Sequence, residues 1–415
     1  MNRLVVVIVG GGPAGSACAI ALKKLSAQYR IRIDVIIYEG KIYEGERQFN
    51  QCAGVLSPPI TDIFVKGLGI EFPSWLIQRT IDGYVLHSDS NEISLEEIEE
   101  PSFAVRRIKL DEFLLNEAKN LGTQIINARV TDIEFLFNKI MVYTENKNTL
   151  ADVIIGAFGL DDGTAKLFER KTNYRQPNCL QSIVTKIHPG IEFMNNFGNK
   201  IHAFLPSIKE IEFGAITPKG NHLTINIAGE NITSISMDKF LEYPPVKNLL
   251  PHLNQYEKWD LNYFKGKFPI CLAKGIFGDK YVIIGDAAGL VRPFKGKGIN
   301  SAILTGIKTA KTIIETGISF KSFENFYKNC SDVLEDLPYG RLVRKLAILF
   351  SNFKIMPAVI EKAKKDKNLR RALFDCVSAH KNYKDIVHNT ISFSALFKIL
   401  QAIAMSLIKY KTNNF

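Results

Sequence analysis

The sequence predicts an α/β fold in which a parallel sheet with a nucleotide site is interwoven with an antiparallel sheet and followed by a helical C-terminal region. Three observations support this prediction. A glycine-rich turn directly follows an apolar strand near the N-terminus, apolar residues alternate along the middle of the chain, and residues 336–415 have helical spacing. With 415 residues, the chain is long enough for about two or three domains.

The first elements of the parallel sheet are compact. Leu4–Val9 is a Val-rich apolar run, which is typical of a buried parallel strand. The turn Gly10–Gly15 follows at once, and the residues from Ser16 to Ser26 have the composition of a helix. Ile33–Tyr38 is rich in β-branched residues and predicts a second strand, which ends at Glu39.

The glycine spacing in this turn matches the Rossmann-type dinucleotide fingerprint. The first glycine permits a tight turn, the second lets the backbone approach a pyrophosphate, and the third lets the helix pack closely on the strand. Phosphates then bind at the helix N-terminus, and the acidic residue after the second strand accepts hydrogen bonds from a ribose. The predicted nucleotide-binding residues are Gly10, Gly12, Pro13, Ala14, Gly15 and Glu39.

The rest of the chain alternates between strand and helix patterns. Arg106–Leu121 has an amphipathic helical pattern, and Ala151–Ala157 predicts another buried strand. Residues from Ser182 to Ile227 alternate as antiparallel strands do, Met237–Leu253 predicts a helix, and Tyr281–Ile284 predicts a strand.

A second glycine-rich segment distinguishes between nucleotide cofactors. Residues 285–300 read G-D-A-A-G-L-V-R-P-F-K-G-K-G-I-N and precede a predicted helix. This segment resembles the G-D-A-A and P-x-x-G-x-G-I-N motif of flavoproteins in the para-hydroxybenzoate hydroxylase group. The resemblance implies FAD as the cofactor, with Asp286 at its ribityl chain. It further implies that FAD contacts Gly285, Asp286, Gly296, Gly298, Ile299 and Asn300.

Two further positions can be compared with these flavoproteins. Arg107 and Asp111 resemble the R-x-x-x-D that opens a helix in the group, which implies that Arg107 lies on the flavin side. Residues 152–159 resemble its D-x-x-I-G-A-D-G strand, but Phe158 stands where the second Asp would be. In the hydroxylases that Asp helps with both FAD and the nicotinamide donor, so Phe158 argues against a hydroxylase-style NADPH cycle.

We accordingly expect three structural parts. The FAD-binding domain is discontinuous, and the substrate-binding domain is inserted into it. The expected ranges are 1–75, 102–170 and 270–335 for the FAD-binding domain, 76–101 and 171–269 for the substrate-binding domain, and 336–415 for a basic helical C-terminal region.

The segment around Cys52 indicates a branch of the group. Residues 51–58 are similar to the Cys-Gly-Gly segment of geranylgeranyl reductases, which reduce C=C bonds of isoprenoid chains. The Pro-Lys-Gly at 218–220 resembles the end of their Y-x-W-x-F-P-K motif. Phe213 matches the first aromatic residue of that motif, whereas Ala215 and Thr217 replace the Trp and the Phe. These three residues are the expected substrate contacts, and the lost aromatic rings imply a wider or reshaped substrate tunnel.

The resemblance implies a simple reaction. Reduced flavin delivers a hydride to one alkene carbon, and the other carbon takes a proton from an acid or from water. An unactivated alkene offers no carbonyl to polarise, so positioning and a dry pocket carry most of the catalysis. Cys52 is the candidate catalytic acid, because a thiol is mostly protonated at neutral pH. The alternative is that Cys52 is a small buried apolar residue that shapes the site.

Charge is concentrated at the C-terminal end. The net charge is +11, and residues 339–415 carry 15 Lys and Arg against 4 Asp and Glu, so the remainder is close to neutral. We find no nucleic-acid recognition fold to accompany this charge and expect no nucleic-acid partner. The composition, 46% hydrophobic and 23% charged, excludes a disordered or fibrous chain.

The basic end could serve a membrane surface. Phe393–Lys411 has amphipathic helical spacing, and Lys362–Arg371 is rich in basic residues. Together they indicate contact with anionic lipid head groups, as access to a polyprenyl lipid requires. The alternatives are a helix packed on the body of the protein with a solvated basic face, and a docking surface for an acidic electron carrier such as a ferredoxin.

Cysteine and histidine usage indicates the compartment. The 6 cysteines contain no C-x-x-C pair and the 7 histidines have no metal-ligand spacing, which favours a reduced, cytoplasmic protein without a metal site. The N-terminal apolar run leads into the glycine turn, so we interpret it as a strand and not as a signal peptide. No stretch of about 18 uninterrupted apolar residues occurs, so we expect at most peripheral membrane association.

The sequence therefore predicts an FAD-dependent reductase of prenyl or polyprenyl C=C bonds in a lipid or quinone. The alternatives are a flavin-dependent monooxygenase or halogenase on the same fold, and a flavin-binding carrier without turnover. There is no second dinucleotide fingerprint, so NADPH, a ferredoxin or another reduced carrier all remain open as electron donor.

Overall fold

The computed structural model describes residues 3–43, 52–96, 100–250, 261–291 and 298–390. The first twelve strands in chain order are β1 (Leu4–Val9), β2 (Ile33–Tyr38), β3 (Val55–Leu56), β4 (Ile77–Ile81), β5 (Gly83–His87), β6 (Glu92–Glu96), β7 (Ser102–Val105), β8 (Gln124–Ile126), β9 (Val130–Phe135), β10 (Ile140–Thr144), β11 (Thr149–Ala151) and β12 (Val153–Gly156). Those that follow are β13 (Cys179–Ile187), β14 (Lys200–Phe204), β15 (Phe213–Pro218), β16 (Leu223–Gly229), β17 (Phe264–Pro269), β18 (Phe277–Gly278) and β19 (Tyr281–Ile283).

Helices connect and cover these strands. They are α1 (Pro13–Gln28), α2 (Ile60–Asp62, continued by a π-helical turn at Ile63–Leu68), α3 (Arg107–Asn120), α4 (Asp162–Lys171), α5 (Ile191–Phe197), α6 (Ser234–Leu241), α7 (Pro244–Leu249), α8 (Gly298–Glu315), α9 (Phe320–Lys328), α10 (Ser331–Leu334), α11 (Leu337–Asn352), α12 (Met356–Lys365), α13 (Lys367–Ser378) and α14 (Tyr383–Thr390).

The predicted parallel sheet has the strand order β18-β19-β12-β1-β2-β8. Strand β1 is central and pairs in parallel with β12 and β2, and side chains such as Val6 and Val153 are fully buried. Such strands are apolar on both faces, which explains why Leu4–Val9 is an unbroken apolar run. Helices α1 and α8 cover the sheet, and the turns at its carboxyl edge carry both glycine-rich motifs.

A seven-stranded sheet forms the second layer, with the order β17-β13-β16-β15-β14-β5-β6. Its pairs are antiparallel except for β14 and β5, which are parallel. Side chains alternate between the two faces of each strand. On one face Ile183, Ile216 and Ile225 form a core together with α6 and α7. The opposite face carries residues such as Phe213 and Ala215 and is turned towards the parallel sheet and the C-terminal helices.

Two small sheets complete the fold. Strands β9, β10 and β11 form an antiparallel meander, and β3, β7 and β4 form a second three-stranded sheet. In the latter sheet Val55, three residues after Cys52, pairs with Ala104, two residues before Arg106. This pairing fixes the Cys52 segment beside the start of α3.

The C-terminal helices pack on the seven-stranded sheet. Phe350, Ile360 and Phe374 share a buried core with residues of β5, β6 and β14. The guanidinium of Arg344 on α11 forms a paired salt bridge with Glu212, and its Nε lies 2.7 Å from Glu212 Oε2. The described part of the basic region is thus a structural layer of the protein.

The α/β prediction is confirmed, with one local difference. Pro244 stands in the first turn of α7, so the predicted helix Met237–Leu253 is divided into α6 and α7. Pro338 and Pro357 stand in the first turns of α11 and α12, where the missing N–H costs nothing.

Among the described helices none is long and apolar enough to cross a bilayer. The predicted amphipathic helix 393–411 lies outside the described residues.

A buried histidine pair joins β5 to β14. His87 Nε2 lies 2.8 Å from His202 Nδ1, and His87 Nδ1 lies 3.0 Å from Glu92 Oε2. Both contacts are satisfied when each neutral ring carries its proton on Nδ1. Burial lowers the pKa of His87 to about 3, with a further contribution from His202. Burial also lowers the pKa of His202 to about 4, and the charge of Lys200 adds to this.

This pair should make the protein sensitive to acid. The unfolded rings titrate near about 6.5, so below that pH the unfolded chain binds protons that the folded chain does not. The free energy of unfolding should therefore fall as the pH drops from about 6.5 towards 4, by about 2 kcal/mol between pH 7 and pH 5 for His87 alone. Denaturant unfolding at several pH values measures this.

The variant His87→Gln removes one titrating ring and should flatten this pH dependence. Because a substitution at a buried site also changes stability in general, the slope against pH is the quantity to compare. An unchanged slope would show that the histidine pair is not the source of the acid sensitivity.

Candidate active site

One cavity of about 580 Å³ joins the carboxyl edge of the parallel sheet to the open face of the seven-stranded sheet. It brings together residues that are far apart in the sequence. The predicted site residues that line it are Gly10, Gly12, Pro13, Ala14, Glu39, Cys52, Arg107, Phe213, Ala215, Thr217, Asp286, Gly298 and Ile299.

The glycine turn leaves room for a phosphate. Gly10 has φ of 108°, and a Cβ there would lie 2.5 Å from the carbonyl oxygen of Ala157, so only glycine fits. At Gly12, by contrast, a Cβ would meet nothing within 4 Å. Helix α1 begins at Pro13; its N-cap residue, Gly12, provides no side-chain cap, and its first turn has no acidic residue. Its first N–H groups are therefore suited to an anion.

Glu39 is held rigidly at the end of β2. It is buried, with its Oε2 accepting a 2.8 Å hydrogen bond from the backbone N–H of Gly11 and its Oε1 a 2.9 Å bond from that of Lys41. A carboxylate has about four acceptor positions, so Glu39 keeps capacity for ribose hydroxyls. The predicted Gly15 lies under the turn and does not line the cavity.

A charged pair on α3 places Arg107 at the cavity wall. Arg107 Nε donates a 2.6 Å hydrogen bond to Asp111, which is one helical turn along α3 and buried. Burial opposes the charge on Arg107, but Asp111, Cys52 and Asp286 together raise the pKa of its guanidinium. Burial raises the pKa of Asp286, and Arg107 opposes that change. The pair of Arg107 and Asp111 thus holds a permanent positive charge next to the half-buried carboxylate of Asp286.

The second glycine-rich segment closes around this carboxylate. A Cβ at Gly298 would lie 2.7 Å from Asp286 Oδ1, which explains the glycine. Ile299 lines the cavity, whereas the side-chain amide of Asn300 donates a 2.8 Å hydrogen bond to the carbonyl of Ser57. Gly285 packs against Ala14 behind the cavity wall. Gly296 lies outside the described residues.

These groups fit FAD. An uncapped helix N-terminus with an open approach at Gly12 suits a pyrophosphate, and two carboxylates, Glu39 and Asp286, suit the hydroxyls of a ribose and a ribityl chain. The positive charge of Arg107 suits a cofactor that gains negative charge on reduction.

Cys52 lies at the junction of the two sheets. It is exposed and lines the cavity, and its Sγ accepts a 3.1 Å hydrogen bond from the backbone N–H of Gly54. The backbone carbonyl of Gly54 accepts a hydrogen bond from the N–H of Val105, which lies just before α3. The thiol can therefore face a ligand in the cavity while its backbone is fixed.

The inner wall is mainly apolar. Phe213, Ala215 and Thr217 alternate along β15 and line the cavity, as the expected substrate contacts require. Phe158 also lines it and stacks on Phe168 with ring centroids 5.1 Å apart. An aromatic ring thus occupies the position at which the family resemblance expects a carboxylate.

Several cavity residues carry no motif and were not found from the sequence. They come from separate strands and from α13. The only indication of them in the sequence was the alternation of apolar residues along the predicted strands. They include Tyr84, Ser182, Val184, Ile201, Ala203, Asn226, Phe268 and Val377.

Burial raises the pKa of Tyr84 to about 12, although hydrogen bonds with Ser102 and Ser57 oppose this change. Its hydroxyl therefore stays protonated at neutral pH.

Comparison with known proteins identifies relatives along most of the chain. No family model matches. Digeranylgeranylglycerophospholipid reductase 1 of Methanosphaera stadtmanae is 27% identical over 364 residues, covering 82% of this chain and 84% of the relative. Geranylgeranyl diphosphate reductase of Synechocystis sp. is 24% identical over 338 residues, covering 75% of each.

Solved structures share the fold. A geranylgeranyl bacteriochlorophyll reductase-like protein from Thermoplasma acidophilum aligns with a TM-score of 0.68 and 16% identity, covering 93% of this chain and 98% of its own. The p-nitrophenol 4-monooxygenase PnpA of Pseudomonas putida aligns with a TM-score of 0.67 and 15% identity, covering 92% and 99%. Together with the sequence relatives, these comparisons confirm the resemblance to the geranylgeranyl reductases and the prediction of an oxidoreductase.

The open space at Gly12 gives a direct test of the cofactor site. Gly12→Val should leave the fold intact, because a Cβ at this position meets no protein atom within 4 Å, but should weaken FAD binding at least about tenfold by blocking the phosphate position. Flavin absorbance after purification and titration of the apoprotein with FAD measure this.

Gly163→Ala is the control, since its Cβ makes only an ordinary 3.4 Å contact. It should bind FAD as the unchanged chain does. A Gly12→Val variant that retains full flavin would exclude a phosphate at this turn.

Proposed function

We propose that this chain, a homologue of the geranylgeranyl reductases, uses FAD to add hydrogen across C=C bonds of a prenyl or polyprenyl group on a lipid or quinone. One observation carries the proposal. The residues that suit FAD, the apolar face of the seven-stranded sheet and Cys52 all line the same cavity. A prenyl chain on that face would lie directly beside the cofactor.

The reaction needs a hydride and a proton. When bound and reduced, FAD supplies the hydride. Two groups of the chain can hold the proton at the cavity wall, the Cys52 thiol and the Tyr84 hydroxyl. Arg107, kept charged by Asp111, stabilises negative charge at the cofactor side.

The apolar wall favours this chemistry by excluding water. Tyr84, Phe213, Phe268 and Val377 come from β5, β15, β17 and α13, so the C-terminal helices help to enclose the chain-binding part. An alkene has no polar group to be polarised, so its position and a dry surrounding must supply most of the rate.

The monooxygenases and halogenases share this fold, but the cavity of this chain favours a reductase. Phe158 replaces the carboxylate of the hydroxylase pattern, and its ring stacks with Phe168 and meets Tyr174 edge-on. The electron donor stays open among NADPH, a ferredoxin and another reduced carrier, and peripheral contact with an anionic membrane through the C-terminal region remains part of the proposal.

The reaction can be tested without knowing the natural donor. The FAD-loaded protein is reduced with dithionite in the absence of O₂ and incubated with a geranylgeranyl lipid. Mass spectrometry should show the gain of two hydrogen atoms for each bond reduced, with oxidation of the flavin in step. A flavin that ignores every prenyl chain and reoxidises rapidly with O₂ would favour the monooxygenase.

Variants of the two proton-holding residues separate their roles. If Cys52 is the acid, Cys52→Ala should keep FAD and lose about a hundredfold or more in the rate of alkene reduction, as removal of a general acid does. Tyr84→Phe should then cost much less.

Single-turnover oxidation of the reduced flavin by substrate gives both rates. Equal turnover by Cys52→Ala and the unchanged chain would reject a catalytic role for Cys52. A hundredfold loss in Tyr84→Phe alone would assign the proton to Tyr84.

A further inference from the structure

A buried lysine lies directly behind the Cys52 segment. Lys219 follows β15 and stands two residues after the cavity-lining Thr217, so its side chain leaves the strand on the same side. Lys219 is only 3% exposed, and it is not among the residues that line the cavity. Any effect of its ammonium on a ligand in the cavity must therefore pass through another side chain.

The ammonium of Lys219 has one hydrogen-bond acceptor among the described residues. Its Nζ donates a 3.1 Å hydrogen bond to the backbone carbonyl of Val105, the last residue of β7. An ammonium can donate three hydrogen bonds, and a buried charge is costly when it is not paired. A neutral donor could hold this carbonyl equally well, so the contact with Val105 explains a polar group at this position but not a charged one.

The same ammonium approaches the backbone of the Cys52 segment at Gly54. A Cβ at Gly54 would lie 3.0 Å from Lys219 Nζ, so the absence of a side chain there leaves room for the lysine. The backbone N–H of Gly54 donates a 3.1 Å hydrogen bond to Cys52 Sγ. Gly54 is therefore in contact with both groups, and it is the residue that separates the ammonium from the thiol.

Electrostatics links Lys219 to the same thiol. Burial lowers the pKa of Lys219 to about 8, a negative charge on Cys52 opposes this change, and the positive charges of Lys186 and Arg106 add to it. The ammonium form still predominates at neutral pH. Of the charged groups in the described chain that act on this pKa, only Cys52 favours the positive charge, and it does so as a thiolate.

A second cation next to Cys52 already has acidic partners. Arg107 is paired with Asp111, and the negative charge of Asp286 also favours its positive charge. A thiolate at Cys52 raises the pKa of Arg107 as well, so the sulfur faces cations from α3 and from the turn after β15. Lys219, by contrast, forms no salt bridge with a carboxylate of the described residues, which leaves the Cys52 sulfur as its counter-charge.

We propose that Lys219 is a positioning residue for the proton step of the proposed reduction, in which its ammonium stabilises the thiolate that forms when Cys52 gives its proton to the alkene. The inference rests on the proposed function, with Cys52 as the acid. A fixed positive charge in a site that excludes water stabilises a developing negative charge far better than water does. This explains why a charged residue is buried at a position where a neutral donor would satisfy the fold.

The step balances with groups already described. One alkene carbon takes a hydride, and with it two electrons, from the reduced cofactor. The other carbon forms a C–H bond with the proton of the Cys52 thiol, so the S–H bond breaks and its electron pair stays on sulfur. Because Cys52 is exposed and lines the cavity, the thiolate regains a proton from water after the product leaves.

Two substitutions separate the charge of Lys219 from its hydrogen bond. Lys219→Gln removes the charge but keeps a donor for the Val105 carbonyl, whereas Lys219→Met removes both. Single-turnover oxidation of the reduced flavin by a geranylgeranyl lipid should be about tenfold or more slower in both variants, because both lack the charge. A Lys219→Gln variant as fast as the unchanged chain would show that Lys219 only holds the backbone, and would overturn the proposal.

Alkylation of Cys52 gives a readout that needs no turnover. Iodoacetamide reacts with the thiolate, so the rate of alkylation at a fixed pH reports how well the protein stabilises that form. Peptide mass spectrometry of the FAD-loaded full chain follows the label at Cys52. Both Lys219 variants should be labelled about tenfold more slowly than the unchanged chain, and equal labelling rates would contradict a role of Lys219 in stabilising the thiolate.

Lys24→Met is the matched control. Lys24 Nζ donates a 2.7 Å hydrogen bond to the backbone carbonyl of Gly69, so this variant loses the same kind of contact at a residue that does not line the cavity. Its turnover and its labelling at Cys52 should match those of the unchanged chain. Bound FAD and melting temperature are measured for every variant, and a control as slow as the Lys219 variants would assign the effect to a general loss of stability and refute the proposal.

A double variant shows whether Lys219 acts through Cys52. Without the thiol the ammonium has no thiolate to stabilise, so Cys52→Ala alone and Cys52→Ala combined with Lys219→Gln should reduce the alkene at the same rate. A further tenfold loss in the double variant would mean that Lys219 acts independently of Cys52, contrary to the proposal.

Failure of the reductase proposal is distinguishable from failure of the role given to Lys219. If the Lys219 variants are labelled slowly at Cys52 but even the unchanged chain reduces no prenyl bond, the stabilised thiolate stands and the proposed reaction is wrong. If the unchanged chain reduces prenyl bonds and the Lys219 variants match it in turnover and labelling, the reductase stands and the positioning role is wrong.

Discussion

The architecture depends on the close approach of α1 and α8. A Cβ at Gly306 would lie 2.4 Å from the carbonyl oxygen of Ala14 and 2.8 Å from the backbone nitrogen of Cys18, so the two helices touch backbone to backbone there. Each helix follows one glycine-rich motif. Their contact brings residues near 10 and near 290 to the same edge of the parallel sheet, and the cofactor cavity exists because of it.

The second layer supplies the cavity wall opposite the parallel sheet. The seven-stranded sheet has two faces with different neighbours, one core with α6 and α7 and one shared by the cavity and the C-terminal helices. A helical region with a strong positive charge is therefore also a wall of an apolar pocket, with Val377 at its inner surface. The basic side chains and the apolar side chains of these helices lie on different faces, as is normal for amphipathic helices.

Charge and apolar surface come from different elements of this cavity. At the carboxyl edge of the parallel sheet, the positive charge of Arg107 is compensated in part by Asp111 and Asp286. The seven-stranded sheet contributes apolar side chains such as Phe213, Ala215 and Phe268 to the same cavity. A ligand that fills the cavity therefore meets both a charged and an apolar surface.

Local patterns in the sequence determined the strand, turn and helix of the glycine motif, because these depend on neighbours within a few residues. The family resemblance pointed to the second motif at 285–300, to Arg107 and Asp111, to Cys52 and to the strand at 213–217. Only the tertiary structure decided that Tyr84, Asn226 and Val377 line one cavity, because strand order, register and helix packing bring them together from distant segments. No local signal in a sequence encodes such a juxtaposition, since it arises from which faces of separate elements pack against each other.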